Sequence, residues 1–339
     1  MTYPATTGAG RANIYDVAKL AGVSHMTVSR VLNGHPNIRD TTRKKVDDAI
    51  AELGYQRSAT ARALAMRRAM RLGVLVDNPV EFGPNSMLHA FEAAAHDAGY
   101  TVGSFTTSDE GSLSMEAALQ GLLSQDIDGL CVIAPRESSL ETLRAQQVSV
   151  PKIMLMPAAV PDAVTASVDQ YAGAVLAVSH LIELGHTRIA HLGGPSDWFD
   201  ARERDRAWRE TLAAAGHAPE VYGEGDWTAD YGYRFAQELD VDSCTAIFVA
   251  NDQMALGVIH GLADRGVSVP GEMSIVGFDD VPDSSHYLPP LTTIRQDFVA
   301  LGQLAVQLLV EAIDGGTNAT STHISPQLVV RRSATAPRA

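Results

Sequence analysis

Met26, Ser29, Arg30 and Asn33 stand at spacings of three, four and seven, which places them on one face of a single helix with His25 beside them. Such a face, left free, fits the major groove of duplex DNA, where side chains meet base edges and the helix N-terminus favours phosphate. The opposite face of the same turn sequence carries Val28, Val31 and Leu32, which can pack. An earlier helix is expected from Asn13, a cap with Asp16 three residues on, through Val17, Leu20 and Ala21 to a stop at Gly22. Ser24 then caps the helix that bears the free face. Asp40 or Thr41 opens a third, with Val46, Ala49, Ile50 and Leu53 inward, Arg43, Lys44 and Lys45 outward, and Gly54 closing it. Two helices across the tight turn Gly22-Val23-Ser24, buttressed by a third, make a helix-turn-helix unit. An ordinary three-helix bundle with a solvated basic face satisfies the same pattern.

Charge separates the two interpretations. The chain has 339 residues and a net charge of −14, yet residues 1–71 hold 12 basic against 5 acidic side chains, while the remainder holds 14 against 35. A basic head on an acidic body suits a polyanion-binding module joined to something that avoids polyanions. The length suggests two or three domains, and no apolar run approaches the ~18 residues of a membrane span. The opening MTYPATTGAGRAN has no apolar core of a signal peptide, and Cys131 and Cys244 lie far apart in apolar stretches, so a cytosolic protein with reduced thiols is expected.

The segment IYDVAKLAGVSHMTVSRVLNG resembles, position by position over 21 residues, the DNA-binding headpiece of the LacI/GalR family of bacterial repressors. The resemblance adds Tyr15, Thr27, Thr42 and Tyr55 to the DNA-facing candidates. It continues through LGYQRSATARALA, where it implies a hinge helix that orders on operator DNA, with Ala61 at the groove and Leu64 wedged into the minor groove. The stretch SATARALAM is shorter than the ~12–15 residues an isolated helix needs, which agrees with folding on contact. The family's usual Pro-Asn is Arg57-Ser58 here. The expected layout is a tail over 1–12, a headpiece over 13–57, a hinge over 58–70, a core over 71–333 and a tail over 334–339.

From Leu72 the pattern changes to short buried runs, LGVLV (72–76), YTVGSF (100–105), GLCVI (129–133), KIMLM (152–156), RIAHLG (188–193), AIFVA (246–250) and SIVGF (274–278), alternating with helical stretches such as 86–98 and 170–184. That alternation predicts doubly wound α/β architecture with ligands at the carboxyl ends of the strands. No glycine-rich nucleotide motif follows a strand. EGDW, VANDQMALG, SIVGFDD and DSSHYLPPLTTIRQDFVALGQ resemble the family's sugar-binding core, so that about residues 13–333 are covered. The resemblance implies a periplasmic-binding-protein-like core of two α/β subdomains with a ligand between them, the chain crossing near 168, 296 and 325.

A pyranose offers an apolar C–H face for an aromatic ring and a rim of hydroxyls for Arg, Asn and Asp. By resemblance, Arg204, Asn251 and Asp279 are the hydroxyl ligands, and Trp227 and Phe298 are walls with Gln296 near them. Where the resembled core has serines this chain has Asp77 and Asp200, both expected to contact hydroxyls, and the aspartate expected after KIML is Met156. The resemblance implies a dimer, with an added C-terminal heptad helix in tetrameric members; QLVVRRSATAPRA has no heptad pattern, so a homodimer on a pseudo-palindromic operator is the expectation. His180, His186 and His191 lack metal-ligand spacing, and neither metal, cofactor nor catalytic motif is predicted. A sugar-responsive transcriptional repressor is the leading expectation. A transport sugar-binding protein and a carbohydrate-active enzyme are the alternatives.

Overall fold

A computed structural model describes residues 12–32, 35, 37–55, 68–78, 80–107, 114–157, 164–316 and 321–338. It divides into two compact units, residues 1–70 and 71–339. In the first, α1 (Ile14–Ala21) starts on a reciprocal cap: the Asn13 side chain accepts from the Tyr15 and Asp16 amides at 2.8 and 3.2 Å, and Asp16 accepts from the Asn13 amide at 2.9 Å. Gly22, at φ 65°, makes the turn a β-carbon would strain. The Ser24 hydroxyl accepts from the Thr27 amide at 3.1 Å to open α2 (His25–Leu32). The third helix, α3 (Asp40–Leu53), begins at Asp40 without a side-chain cap. Val17, Ala21, Val28, Val31, Val46 and Ala49 are the shared core.

The second unit holds two parallel sheets. One has six strands in the order β11-β5-β4-β3-β1-β2, made of β1 (Arg71–Asp77), β2 (Thr101–Thr107), β3 (Gly129–Ile133), β4 (Lys152–Leu155), β5 (Val164–Val168) and β11 (Ser321–Ile324). The other has four in the order β7-β6-β8-β9: β6 (Ile189–Gly193), β7 (Tyr222–Glu224), β8 (Ala246–Val249) and β9 (Ser274–Val276). The short pair β10 (Thr293–Arg295) and β12 (Gln327–Val329) runs antiparallel. Strands β1, β3 and β8 are buried almost end to end because helices cover both faces of their sheets.

Among the described residues the helices around the sheets are α4 (Phe82–Asp97), α5 (Met115–Leu123), α6 (Glu137–Arg144), α7 (Gln170–Glu183), α8 (Phe199–Ala214), α9 (Ala229–Glu238) and α10 (Asp252–Asp264), with α11 (Phe298–Ile313) following β10. The first of these starts at Phe82 rather than at 86, because Pro84 falls in its first turn, where no amide is needed for the ladder. Helix α11 returns across the six-stranded sheet, touching α4 and strands β3 to β5. The backbones of α9 and α10 approach so closely that a β-carbon on Gly232 or Gly257 would collide with main-chain oxygen of Met254 or Ala229. The chain therefore passes between the two subdomains after β5, after β10 and between β11 and β12. Among the described residues no helix is long and apolar enough to cross a membrane, and no group of His, Cys, Asp or Glu is placed to hold a metal.

Candidate functional sites

The carboxyl ends of the strands from both subdomains meet at a cleft. Arg204, one turn along α8 from Asp200, is 3 % exposed. Its Nε and Nη2 donate to Gln170 Oε1 at 3.0 and 2.7 Å, and Nη1 donates to the Ala250 carbonyl. Gln170 Nε2 then donates to Gln296 Oε1 at 2.9 Å, and Gln296 Nε2 to Asp279 Oδ1 at 2.6 Å. Asp200 and Asp279 lie 3.8 and 3.7 Å from Arg204 Nη2. The guanidinium also sits 3.8 Å from the centroid of the Phe278 ring, which supports its flat face.

These carboxyls hold more charge than the single guanidinium neutralises. Burial pushes the Asp279 carboxyl up to about 7 against the pull of Arg204, and burial raises Asp200 in the same way. Glu81, which lines the same chamber from the other subdomain, is raised by burial and by Asp226. Two residues hold left-handed backbone there, Trp227 at φ 71° and Asp279 at φ 111°. Strain of this kind persists only where surroundings over-determine it, and it gathers at ligand sites. Trp227 is 6 % exposed, meets Trp198 edge-on at 5.3 Å, and its indole Nε1 has no hydrogen-bond partner. Asn251 caps α10 through its oxygen and donates to the Trp227 carbonyl at 3.0 Å, so it holds the Trp227 loop as well as lining the chamber. The free volume at the chamber's centre is about 30 Å³, room for about two water molecules.

Phe298 opens α11 and meets Phe82 edge-on at 6.0 Å, walling a second chamber that shares Asp200 and Gln296 with the first. The expectation for Asp77 is corrected. Its carboxylate is 1 % exposed and takes Arg136 Nε and Nη2 at 2.8 Å each, Thr107 Oγ1 at 3.2 Å and the Ser139 hydroxyl. With those four donors in place, no acceptor is left for a ligand. Arg136 belongs to a clasp between the subdomains: Phe199 N donates to the Pro135 carbonyl at 2.9 Å, Glu137 N to the Asp197 carbonyl at 3.0 Å, and Arg202 pairs with Glu137 at 2.7 Å. Phe199 itself is buried in the core of the six-stranded subdomain. Sequence reasoning missed Gln170, Glu81, Phe82, Trp198 and Arg136. All five follow strand ends, Glu81 and Phe82 after β1, Arg136 after β3, Gln170 after β5 and Trp198 after β6, the one signal that could have found them.

In the helical unit, His25, Met26 and Arg30 are exposed on α2, while Thr27 and Ser29 are half-buried on it. Tyr15 is 65 % exposed, and its ring lies 5.2 Å from that of His25, so the two extend one surface. Thr42, in the first turn of α3, and Tyr55, just past its end, are half-buried. Asn33, Ala61 and Leu64, with most of the expected hinge, lie outside the described residues.

A helix-turn-helix unit followed by a two-subdomain α/β core with a polar, aromatic-lined cleft defines a ligand-responsive DNA-binding regulator. Residues 13–58 match the family described as bacterial regulatory proteins, lacI family, and residues 178–334 match a periplasmic binding protein-like domain. The lactose operon repressor of Escherichia coli (strain K12) is 35% identical over 327 residues, 96% of this chain and 91% of its own length. Catabolite control protein A of Priestia megaterium is 31% identical, over 95% of this chain and 98% of its own. Among solved structures, the lac repressor dimer bound to operator and the anti-inducer ONPF superposes with a TM-score of 0.79 at 34% identity, covering 96% of this chain and 99% of that one. A transcriptional regulator CelR–cellobiose complex gives 0.71 at 30%, covering 96% and 100%. The chain belongs to the LacI family of bacterial regulatory proteins, and the similar proteins named here include an operon repressor and a transcriptional regulator.

Proposed function

We propose that the chain is a sugar-responsive repressor that acts as a homodimer, each headpiece taking one half-site of a pseudo-palindromic operator. His25, Met26, Ser29 and Arg30 read the major groove, Asn33 extends that face, and Ala61 and Leu64 engage the minor groove. The cleft takes a mono- or disaccharide. One observation carries this reading: Arg204 is forked onto Gln170 beside the buried carboxyls of Asp200 and Asp279, with the Trp227 ring alongside. A fixed donor fork, acceptors and an apolar face are the three elements that a hydroxyl-rimmed pyranose needs. A ligand bound between the subdomains shifts them between two arrangements, and differential affinity for those arrangements changes DNA binding.

The test is operator binding by gel shift, with and without sugars, for the parent and Arg204→Ala. The variant is expected to retain operator affinity and lose the sugar response. An Arg204→Ala protein that still responds at the parent's sugar concentrations overturns the assignment of the cleft.

A further inference from the structure

The polar chamber is unbalanced in charge. Among the described residues that line it, Glu81, Asp200 and Asp279 are acidic and Arg204 alone is basic. Arg204 spends its fork on Gln170 Oε1 and the Ala250 carbonyl, and its Nη2 stays 3.8 and 3.7 Å from Asp200 and Asp279, beyond hydrogen-bond reach. Gln296 Nε2 donates to Asp279, but among the described residues no hydrogen bond reaches the carboxyl of Asp200 or of Glu81. Asp226, whose charge also bears on Glu81, has its own partner in Arg234 at 3.9 Å. Among the described residues no group of carboxyls is placed to hold a metal. The chamber is nonetheless shaped for a ligand, because the indole Nε1 of Trp227, a residue 6 % exposed, lines it without a partner. Asp200 is also where this chain departs from the serine of the core it resembles, so the departure puts a negative charge in place of a neutral hydroxyl.

A half-buried carboxylate lacking a counter-charge needs both donors and positive charge. A sugar hydroxyl brings a donor alone, whereas an ammonium brings three N–H donors and the charge. Resting on the sugar reading above, we propose that the effector is an amino sugar, a hexose bearing a free ammonium that lies between Glu81 on one subdomain and Asp200 and Asp279 on the other. Glu81 opens α4 after β1, while Asp200 and Asp279 follow strands of the four-stranded sheet, so a shared ammonium ties the two subdomains together. That is a differential affinity for the arrangement in which they stand close. A sugar phosphate, which adds negative charge to the chamber, is disfavoured on the same ground.

Calorimetric titration of the full chain at about pH 6.5, where an amine of ordinary pKa holds its proton, decides the matter. The probes are the amino-deoxy forms of glucose, galactose and mannose, positional isomers included, each beside its neutral parent, its N-acetyl derivative and its phosphate ester, with cellobiose, lactose and maltose as neutral disaccharides. The amino form of the hexose that binds is expected to bind at least about tenfold more tightly than the parent and the N-acetyl form, as charge-assisted hydrogen bonds do. The phosphate ester is expected to bind more weakly than the parent. Glu81→Gln and Asp200→Ser each narrow the ratio of amino sugar to parent, and the second restores the residue of the resembled core, which keeps the test readable if the first impairs folding. Equal or tighter binding of any neutral sugar, or a ratio that both variants leave intact, overturns the inference and leaves the sugar reading standing. If no sugar of these kinds binds, both fall.

Discussion

Replacing Arg136 by alanine separates a structural Asp77 from a ligand-binding one. In the structure Asp77 accepts four hydrogen bonds, and Arg136 supplies two of them together with the positive charge against it. Removing one member of a buried pair costs about 3–5 kcal/mol, because the remaining charge stays desolvated. Thr107 and Ser139 still donate in the variant, and the guanidinium site is 15 % exposed so water can enter. The lower end, about 3 kcal/mol, is therefore expected. At roughly 2–4 °C per kcal/mol for a unit of this size, Tm falls by about 6–12 °C. Asp77→Ser leaves an arginine that can turn to solvent and costs less, about 1–2 kcal/mol, and the double variant shows strong coupling between the two sites. Thermal unfolding followed by circular dichroism gives the stabilities, and calorimetry gives the sugar affinities of the same samples. A Tm change under about 2 °C in Arg136→Ala, accompanied by a changed preference among sugars in Asp77→Ser, would refute the ion-pair assignment.

Three further outcomes follow from described contacts. His191 is fully buried, stacked on Phe248 at 4.7 Å, and burial lowers it to about 4. The unfolded chain binds this proton from about pH 6.5 downward and the native state does not, so stability falls by up to about 3 kcal/mol between pH 6.5 and 4; His191→Leu flattens that part of a urea-denaturation pH series. Asp279, raised to about 7, works in the opposite sense: the native state keeps a proton the unfolded chain has lost, and stability drops as pH rises from about 3.8 through 7. Asp279→Asn is accordingly expected to unfold at higher temperature than the parent at pH 8 while losing the sugar response, and a lower Tm there contradicts the buried-carboxyl argument. In the headpiece, Arg30→Ala is expected to lose about 1–3 kcal/mol of operator affinity and relax specificity, whereas Lys44→Ala weakens all sequences alike and reduces the salt slope by about one; quantitative gel shifts over a salt series read both.

What could be read from the sequence tracks the range of the interactions concerned. The helix-turn-helix unit was legible because its signals are local: Asn13 and Asp16 are three residues apart, Gly22 takes the left-handed turn, and Val28 and Val31 share a face. Strands β1, β3 and β8 were legible as uninterrupted buried runs. Strands β7, β10 and β12 were not, since each is three residues long and too short to display any period, whereas the equally short β9 was legible inside the longer apolar run 274–278. Arg204, Asp279 and Gln296 were picked out by motif, and they do meet in space, but Gln170, the residue that joins Arg204 to Gln296, stands in no motif and was missed. Asp77 fails for a different reason. A carboxylate at a strand end suits a ligand and an ion pair equally, and the arginine that decides between them lies 59 residues away.

The three crossings between the subdomains bear on how the protein is made. Helix α11 covers strands β3 to β5, and β11 pairs with β5, so the six-stranded subdomain lacks part of one face and an edge until residues 298–324 have been synthesised. The other subdomain waits as well, because β12 pairs with β10 and the Ser333 carbonyl and hydroxyl bind Ile275 and Thr292. Neither subdomain can be completed by the ribosome's delivery of a contiguous stretch, and neither can be excised as a fragment without exposing a sheet face or an unpaired strand. Nascent chains halted at residue 296 should therefore hold both subdomains in unfinished form, open to proteases and to holdase chaperones, and the arrival of residues 297–333 should convert them to the native state together.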